Sequence, residues 1–305
     1  MKPQKIGDYT VRKLVEVVEP LSPEFAFVEF DPSVLDSHTV WLSPNFVERA
    51  NAETTLLFSF HTYVVQGNGR TLLIDTCVGN HKERAALPSW HMQNRPYLDN
   101  LRSMGVAPED VNYVMCTHLH ADHVGWNTRL IDGRWVPTFP NARYIFSKTD
   151  YDHHNSVSVA DAKRADDEPN PGEGDFYASM ADSVSPIVEA GLADIVNVDF
   201  SIDDAISLVP APGHTPGHYC VHLQSRGEEA FFTGDMMHHP VLVAEPQWKT
   251  HFCLDPVQST KTRQAFINEH AGGGAIVLAA HFAGPTAGRI VDNGGKPKFS
   301  ALPGA

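Results

Sequence analysis

The stretch Thr117-His118-Leu119-His120-Ala121-Asp122-His123 follows an apolar run over 111–116 and places three histidines and an aspartate within six positions. Neutral imidazole nitrogen and carboxylate oxygen are the donors that suit zinc and its neighbours. In an extended segment His118 and His120 project to the same side, and Asp122 and His123 follow as the chain turns. The stretch therefore predicts a metal site at a strand end, with two halves that can serve two adjacent ions.

Three more side chains of ligand type follow apolar runs further along the chain. His214 lies in a turn rich in glycine and proline, where a permissive backbone lets a short loop approach a metal. Asp235 and His281 each come at the end of a run that is typical of a buried strand. If these strands lie side by side in a sheet, their ends bring the side chains to one site.

Taken in order, these residues resemble the ligand set of the metallo-β-lactamase superfamily of hydrolases: His118, His120, Asp122, His123, His214, Asp235 and His281. The resemblance extends from about Thr55 to about Gly288. It implies an α+β fold, the αββα sandwich, in which two mixed β-sheets pack face to face with helices outside and a metal site at one edge. We expect a single domain over 1–305, with an N-terminal extension over about 1–54.

The resemblance also implies a role for each ligand. One metal ion is expected on His118, His120 and His214, and the other on Asp122, His123 and His281. Asp235 is expected to bridge the two ions. The expected cofactor is two Zn²⁺ per chain, with manganese, iron and cobalt as alternatives, because affinity order alone does not select the metal in a cell.

Asp75 ends another predicted strand. In the family, an aspartate at this place supports the metal site by orienting a ligand histidine or by shaping the loop. A turn-capping aspartate is the equal alternative.

Two adjacent divalent ions make hydroxide available near neutral pH and polarise the oxygen under attack. The expected reaction is hydrolysis of a small ester, lactone or phosphotriester by metal-bound hydroxide. Asp122 or Asp235 is the candidate for carrying the proton to the leaving group. The chain lacks Gly-x-Ser-x-Gly, so an α/β-hydrolase nucleophile is not indicated.

Within the superfamily, the ligand set resembles the group of methyl parathion hydrolases and N-acyl homoserine lactonases. His238 stands three residues after Asp235, where homoserine lactonases typically carry a tyrosine, and this difference argues against a homoserine lactone substrate. We expect a pocket for a fairly apolar small molecule, with Trp126, His238 and Phe282 as its candidate lining residues because each lies within three residues of a ligand.

Three other functions are alternatives. The same ligands would suit a hydrolytic dehalogenase of activated aromatic rings, which halide release would reveal. An iron-dependent oxidoreductase of the superfamily would be revealed by its metal content. A non-catalytic binding protein is disfavoured, because degenerate relatives usually lose ligands and this chain keeps the whole set.

Composition limits the remaining possibilities. The formal net charge of −14 argues against a nucleic-acid groove, which needs a basic stripe. No apolar stretch approaches membrane length, and the first residues lack the apolar core of a secretion signal, so a cytoplasmic location is expected. The cysteines stand singly among apolar neighbours and are predicted to be reduced core thiols: Cys77, Cys116, Cys220 and Cys253.

Hydrophobic periodicity predicts a hairpin from Leu56 to Asp75 and helices over 95–104, 176–190 and 257–271. The polar stretch 161–175 is predicted to be a loop, with a solvated connector and a lid over the site as the two interpretations.

A homodimer is an expectation for this group of enzymes. The N-terminal segment is a candidate contributor to its interface, because Phe25, Phe27 and Phe30 read as exposed aromatic residues.

Overall fold

The computed structural model describes residues 1–50, 53–156, 178–197, 199–292 and 294–304. Its chain divides into two compact units. Unit 1 comprises Met1–Arg12, Val17–Ser59 and Asp199–Ala305, and unit 2 comprises Lys13–Glu16 and Phe60–Val198. Each unit carries part of the predicted ligand set.

The strands of the described residues are β1 Gln4–Ile6, β2 Tyr9–Leu21, β3 Val47–Ala50, β4 Glu53–Gly67, β5 Arg70–Ile74, β6 Tyr113–Met115, β7 Thr128–Ile131, β8 Arg134–Pro137, β9 Arg143–Ser147, β10 Ala193–Val196, β11 Ile206–Pro210, β12 Tyr219–Ser225, β13 Glu228–Phe232, β14 Ile276–Leu278, β15 Ala287–Asp292 and β16 Pro297–Ala301. The α-helices are α1 Pro23–Ala26, α2 Pro32–Leu42, α3 Tyr97–Ser103, α4 Ala121–Val124, α5 Lys148–Ser156, α6 Ser185–Glu189, α7 Val241–Ala244 and α8 Pro256–His270.

Unit 1 contains a six-stranded sheet with the order β11-β12-β13-β14-β15-β16. Its β13 and β14 pair in parallel and the other neighbours are antiparallel, so the sheet is mixed. In its core the ring of Phe282 packs edge-on against Phe46 and Phe299, at centroid distances of 6.2 and 5.0 Å. The loops after β11, β13 and β14 carry the ligand candidates of this unit.

The other large sheet has eight strands in the order β1-β2-β4-β5-β6-β9-β10, with β3 paired to β4. Its parallel members β5, β6, β9 and β10 lie in unit 2, and β5, β6 and β9 are mostly buried whereas the outer strand β10 is partly exposed. The register pairs Ile74 with Met115, the last residues of β5 and β6. Carboxyl ends of parallel strands share one edge, where ligands bind in open sheets. Asp75 and the stretch from Cys116 therefore leave the sheet side by side.

The predicted hairpin is confirmed as β4 and β5. Its turn has Asn68 at φ 50° and Gly69 at φ 73°, and two successive positive φ values match the right-handed twist of the paired strands. The helices predicted over 95–104 and 257–271 are α3 and α8.

The helix predicted over 176–190 is confirmed in its described part, because residues 178–189 are helical throughout, but its hydrogen bonding changes along its length. Met180–Val184 forms a π-helical turn, and α6 begins only at Ser185. Pro186 lies in the first turn of α6, and a proline lacks the N–H group that would continue the preceding ladder. The predicted loop over 161–175 lies outside the described residues.

The exposure predicted for the N-terminal aromatic residues holds only in part. Phe25 is 41% exposed, whereas Phe27 is 1% exposed and packs edge-on against the Trp248 ring at 5.3 Å. The helix α1 ends just before Phe27, and the turn points this ring inward, which the apolar composition alone did not reveal. The homodimer stays a prediction. No helix in the described ranges is long and apolar enough to cross a membrane.

Candidate metal centre

Unit 2 carries the four ligand candidates of the opening stretch on one short loop and the helix that follows it. His118 and His120 lie between β6 and α4, and Asp122 and His123 lie on α4. All four are buried, and the rings of His120 and His123 lie 4.6 and 4.0 Å from the ring of His118. Asp122 Oδ2 and His123 Nε2 stand 3.4 Å apart. The stretch therefore forms a compact His/Asp cluster, as the sequence predicted.

Asp75 supports this cluster from the neighbouring strand end. Its carboxylate accepts hydrogen bonds from the backbone N–H of Thr117, at 2.8 Å, and from the Thr117 hydroxyl. Its Oδ2 lies 2.9 Å from His123 Nδ1, which leaves Nε2 of that ring toward Asp122. Asp75 adopts a left-handed backbone with φ 56°, uncommon outside glycine. The contacts favour the ligand-orienting interpretation of Asp75 over simple turn capping.

Trp126, a predicted pocket residue, is 4% exposed in unit 2. Its indole N–H donates to Glu16 at 2.6 Å, and its ring stacks on Tyr97 at 4.8 Å. Burial raises the pKa of Glu16, and the hydrogen bond from Trp126 opposes that shift. These contacts fix the Trp126 side chain behind the ligand helix α4. Its role in a substrate pocket stays a prediction.

In unit 1, His214 lies on the loop after β11, and this loop packs tightly against the start of α8. A Cβ at Gly213 would lie 2.1 Å from the backbone nitrogen of Ser259, and Gly213 has φ 129°. The carbonyls of Gly213 and His214 accept from the backbone N–H groups of Asp255 and Leu254, both at 2.9 Å. Only glycine allows this approach, so Gly213 fixes the position of His214.

The ring of His214 is oriented by a cysteine. Cys253 Sγ lies 3.6 Å from His214 Nδ1, and the Cys253 S–H donates to the Ser259 hydroxyl at 3.2 Å. Burial raises the pKa of Cys253, so a neutral sulfur accepts from the imidazole N–H. All four cysteines are buried and free. The sequence presented Cys253 only as a core thiol, and nothing in its spacing signalled this contact.

Asp235 lies in the 3₁₀ turn Gly234–Met236 after β13. Its backbone N–H donates to His218 Nε2 at 2.9 Å, and His218 Nδ1 donates to the Ala211 carbonyl at 3.0 Å. These two bonds define the neutral form of His218 with the proton on Nδ1. His218 therefore holds the loop of Asp235 and is not itself a ligand candidate.

His281 follows β14 and is tied to Ser59. The Ser59 N–H donates to the His281 carbonyl at 3.0 Å, and His281 Nδ1 lies 3.3 Å from the Ser59 carbonyl. The other ring nitrogen, Nε2, lies 3.0 Å from Asp235 Oδ1. His214 Nε2 lies 3.2 Å from Asp235 Oδ2. Unit 1 therefore brings its three predicted ligands together, with His214 and His281 each beside one oxygen of the Asp235 carboxylate.

The other two predicted pocket residues also lie in unit 1 and are buried. His238 is 2% exposed, with its Nε2 3.4 Å from Asp235 Oδ2, and burial lowers its pKa although the Asp235 charge opposes this. Phe282 is fully buried in the aromatic core. Their roles as pocket residues stay predictions.

The two clusters have the chemistry of a divalent metal site. In each of three rings, those of His123, His214 and His281, Nδ1 faces an anchoring group and Nε2 faces a carboxylate. Metal-binding histidines almost always engage their second nitrogen in this way.

A family model described as the metallo-beta-lactamase superfamily matches residues 59–281, which include all seven ligand candidates. The chain belongs to the metallo-β-lactamase superfamily. The superfamily membership that the ligand pattern predicted is confirmed. The predicted α+β sandwich with two mixed sheets is confirmed as well.

Solved structures of this superfamily share the fold. The hydrolase AbOPH, of the beta-lactamase superfamily, matches with a TM-score of 0.81 at 22% identity, over 98% of this chain and 96% of that one. AidC, a dizinc quorum-quenching lactonase in complex with a product, matches with a TM-score of 0.75 at 18% identity, over 99% and 97%. At these identities the likeness concerns the fold alone.

Curated relatives match over part of their length. The N-acyl homoserine lactonase AttM of Agrobacterium fabrum is 25% identical over 132 residues, 40% of this chain and 39% of the relative. The N-acyl homoserine lactonase of Bacillus thuringiensis is 24% identical over 150 residues, 48% and 46%. Each match spans less than half of the relative.

Proposed function

We propose that this chain is a binuclear, zinc-dependent hydrolase of a small ester, lactone or phosphotriester. The observation that carries the proposal is the pair of buried His/Asp clusters. In the rings of His123, His214 and His281, Nδ1 lies near an anchoring group and Nε2 faces a carboxylate. Membership of the metallo-β-lactamase superfamily supports it, because the matched region contains the complete ligand set.

In this proposal each ligand has the role that the resemblance to the superfamily implies. His118, His120 and His214 hold one ion, Asp122, His123 and His281 hold the other, and Asp235 is shared. When bound, a pair of divalent ions lowers the pKa of water and polarises the oxygen of a carbonyl or phosphoryl group.

The chain's own residues then orient and move protons. Asp75, Cys253 and the Ser59 carbonyl each fix the tautomer of one ligand ring, so that Nε2 is the ligating atom. Asp122 and Asp235 are the carboxylates that face the Nε2 atoms of the rings of His123, His214 and His281, at 3.0–3.4 Å. Either carboxylate is placed to carry a proton from water to the leaving group.

The proposal is tested by removing and restoring the metal. Chelation should abolish hydrolysis of a panel of lactones, aryl esters and phosphotriesters, and added zinc should restore it. Metal content measured on the purified protein should approach two ions per chain. Hydrolysis that is unchanged after verified metal removal would overturn the proposal, and halide release from an activated aryl chloride would assign the dehalogenase alternative instead.

A further inference from the structure

A third imidazole lies beside Asp235 within unit 1. His214 and His281 approach its two oxygens at 3.2 and 3.0 Å, and His238 Nε2 lies 3.4 Å from Oδ2, the oxygen that His214 approaches. His238 is not among the ligands that the proposed function assigns. Its place must therefore be explained separately.

The spacing of these atoms matches that of ligands sharing one ion. Two donors about 2.1 Å from one zinc ion stand about 3.0 Å apart when the angle between them is a right angle, and about 3.4 Å apart at the tetrahedral angle. An N–H···O hydrogen bond is shorter, with a usual separation of about 2.9 Å. One donor atom each of His214, Asp235 and His238 all lie within 4.8 Å of one another, and all three residues are buried. Two imidazoles and a carboxylate form a common metal-binding set.

The His238 ring is held by packing. It lies parallel to the His281 ring at 5.9 Å and contacts the Phe252 ring at 5.2 Å. Its Nδ1 has no hydrogen bond to any residue that the structure describes. The ring is therefore positioned by its neighbours' faces, and Nε2 is the nitrogen that faces the other two donors.

We propose that His238 is a further metal ligand, which joins His214 and Asp235 on one ion. This inference deepens the proposed function and rests on it. It differs from a substrate-pocket role, because a pocket residue alters substrate affinity, whereas a ligand alters the affinity and electronic spectrum of the metal itself.

The test uses metal binding and does not depend on turnover. Metal-free wild type, His238→Phe and His238→Ala are titrated with Co²⁺ and followed by visible absorption, and zinc affinity is measured by competition with a chromogenic chelator. Phenylalanine keeps a ring against Phe252 and His281 and removes only the donor nitrogen. His222→Ala is the control, because His222 is a partly buried histidine of β12 that stacks on Phe231.

We expect His238→Phe to lower the affinity of one of the two metal sites for Co²⁺ and Zn²⁺ by at least about tenfold. We also expect it to shift the visible absorption band of bound Co²⁺. Added imidazole should restore the band in His238→Ala, and His222→Ala should behave as wild type. An unchanged affinity and spectrum in a His238→Phe protein with wild-type thermal unfolding would overturn the inference, as would a variant that changes only KM. A wild-type chain that binds no Co²⁺ or Zn²⁺ would instead overturn the proposed function.

Discussion

The two ligand clusters are built differently. In unit 2 the ligands come from one stretch of six residues, and a single carboxylate, Asp75, orients it. In unit 1 His214, Asp235 and His281 come from three separate loops, and each is held by a different kind of group: a thiol, an imidazole and a backbone carbonyl. A cluster from one stretch depends on local geometry, whereas a cluster from three loops depends on the tertiary pairing of distant segments.

The largest expected effect is at the carboxylate of the dispersed cluster. Asp235→Asn should lower hydrolysis by at least about 10²- to 10³-fold, because this carboxylate lies against three imidazoles. Asp122→Asn should lose less, because Asp122 belongs to the cluster that local geometry holds together, with its Oδ2 3.4 Å from His123 Nε2. Initial rates and metal content measured on both variants check this. An Asp235→Asn enzyme that keeps most of its activity would show that the clusters do not differ in this way.

The anchor of the compact cluster should have the next largest effect. Asp75→Asn removes the negative charge beside His123 Nδ1 and should weaken zinc binding by about 10- to 100-fold. Competition with a chelator measures the change. Asp31→Asn, at the exposed N-cap of α2, is the control and should leave zinc affinity unchanged. Equal affinities for wild type and Asp75→Asn would mean that Asp75 only caps its turn.

Acidification should destabilise the fold of unit 1 through His239. Burial lowers its pKa to about 4, and its ring donates from Nε2 to the Phe46 carbonyl and accepts at Nδ1 from the Val241 N–H. The unfolded chain takes up this proton near pH 6.5, so the stability present above that pH is lost as the pH falls toward 4. The loss is at most about 1.4 kcal/mol per pH unit.

Urea unfolding of wild type and His239→Gln across this pH range measures that contribution. The difference between the two proteins isolates His239, because every other side chain is the same in both. We expect the wild type to lose stability more steeply on acidification than the variant. Parallel pH profiles would show that His239 takes up its proton equally in the folded and unfolded chains.

The smallest expected effect is at the thiol anchor of the dispersed cluster. Cys253→Ala should weaken zinc binding by less than about tenfold, because a sulfur acceptor is weaker than a carboxylate, and Cys253→Ser should recover part of the loss. Cys220→Ala is the matched control, since the Cys220 thiol is also buried and, among the described residues, its hydrogen-bond partner is the Thr233 carbonyl. A loss as large as that in Asp75→Asn would make the two kinds of anchor equivalent.

The contrast between the clusters also explains what the sequence could predict. The compact ligand stretch, the β4–β5 hairpin and the long helix α8 are local patterns, and the structure has each of them. The anchors Cys253 and Ser59 could not be predicted, because they meet His214 and His281 across 39 and 222 residues. Neither a single cysteine nor a single serine in the sequence indicates a contact with a distant histidine. The inward ring of Phe27 was missed for the same reason, since burial depends on neighbours that local composition does not specify.

The link between Ser59 and His281 has a consequence for biosynthesis. The chain must form contacts across 222 residues before His281 is aimed at Asp235, and such long-range closure is slow relative to local structure. A nascent chain can build the hairpin and the first histidine cluster while the remainder is still being translated. His281 reaches its place only after the segment that contains β14 has been translated. The complete ligand set therefore assembles later than its first histidine cluster and cannot guide the first steps of folding.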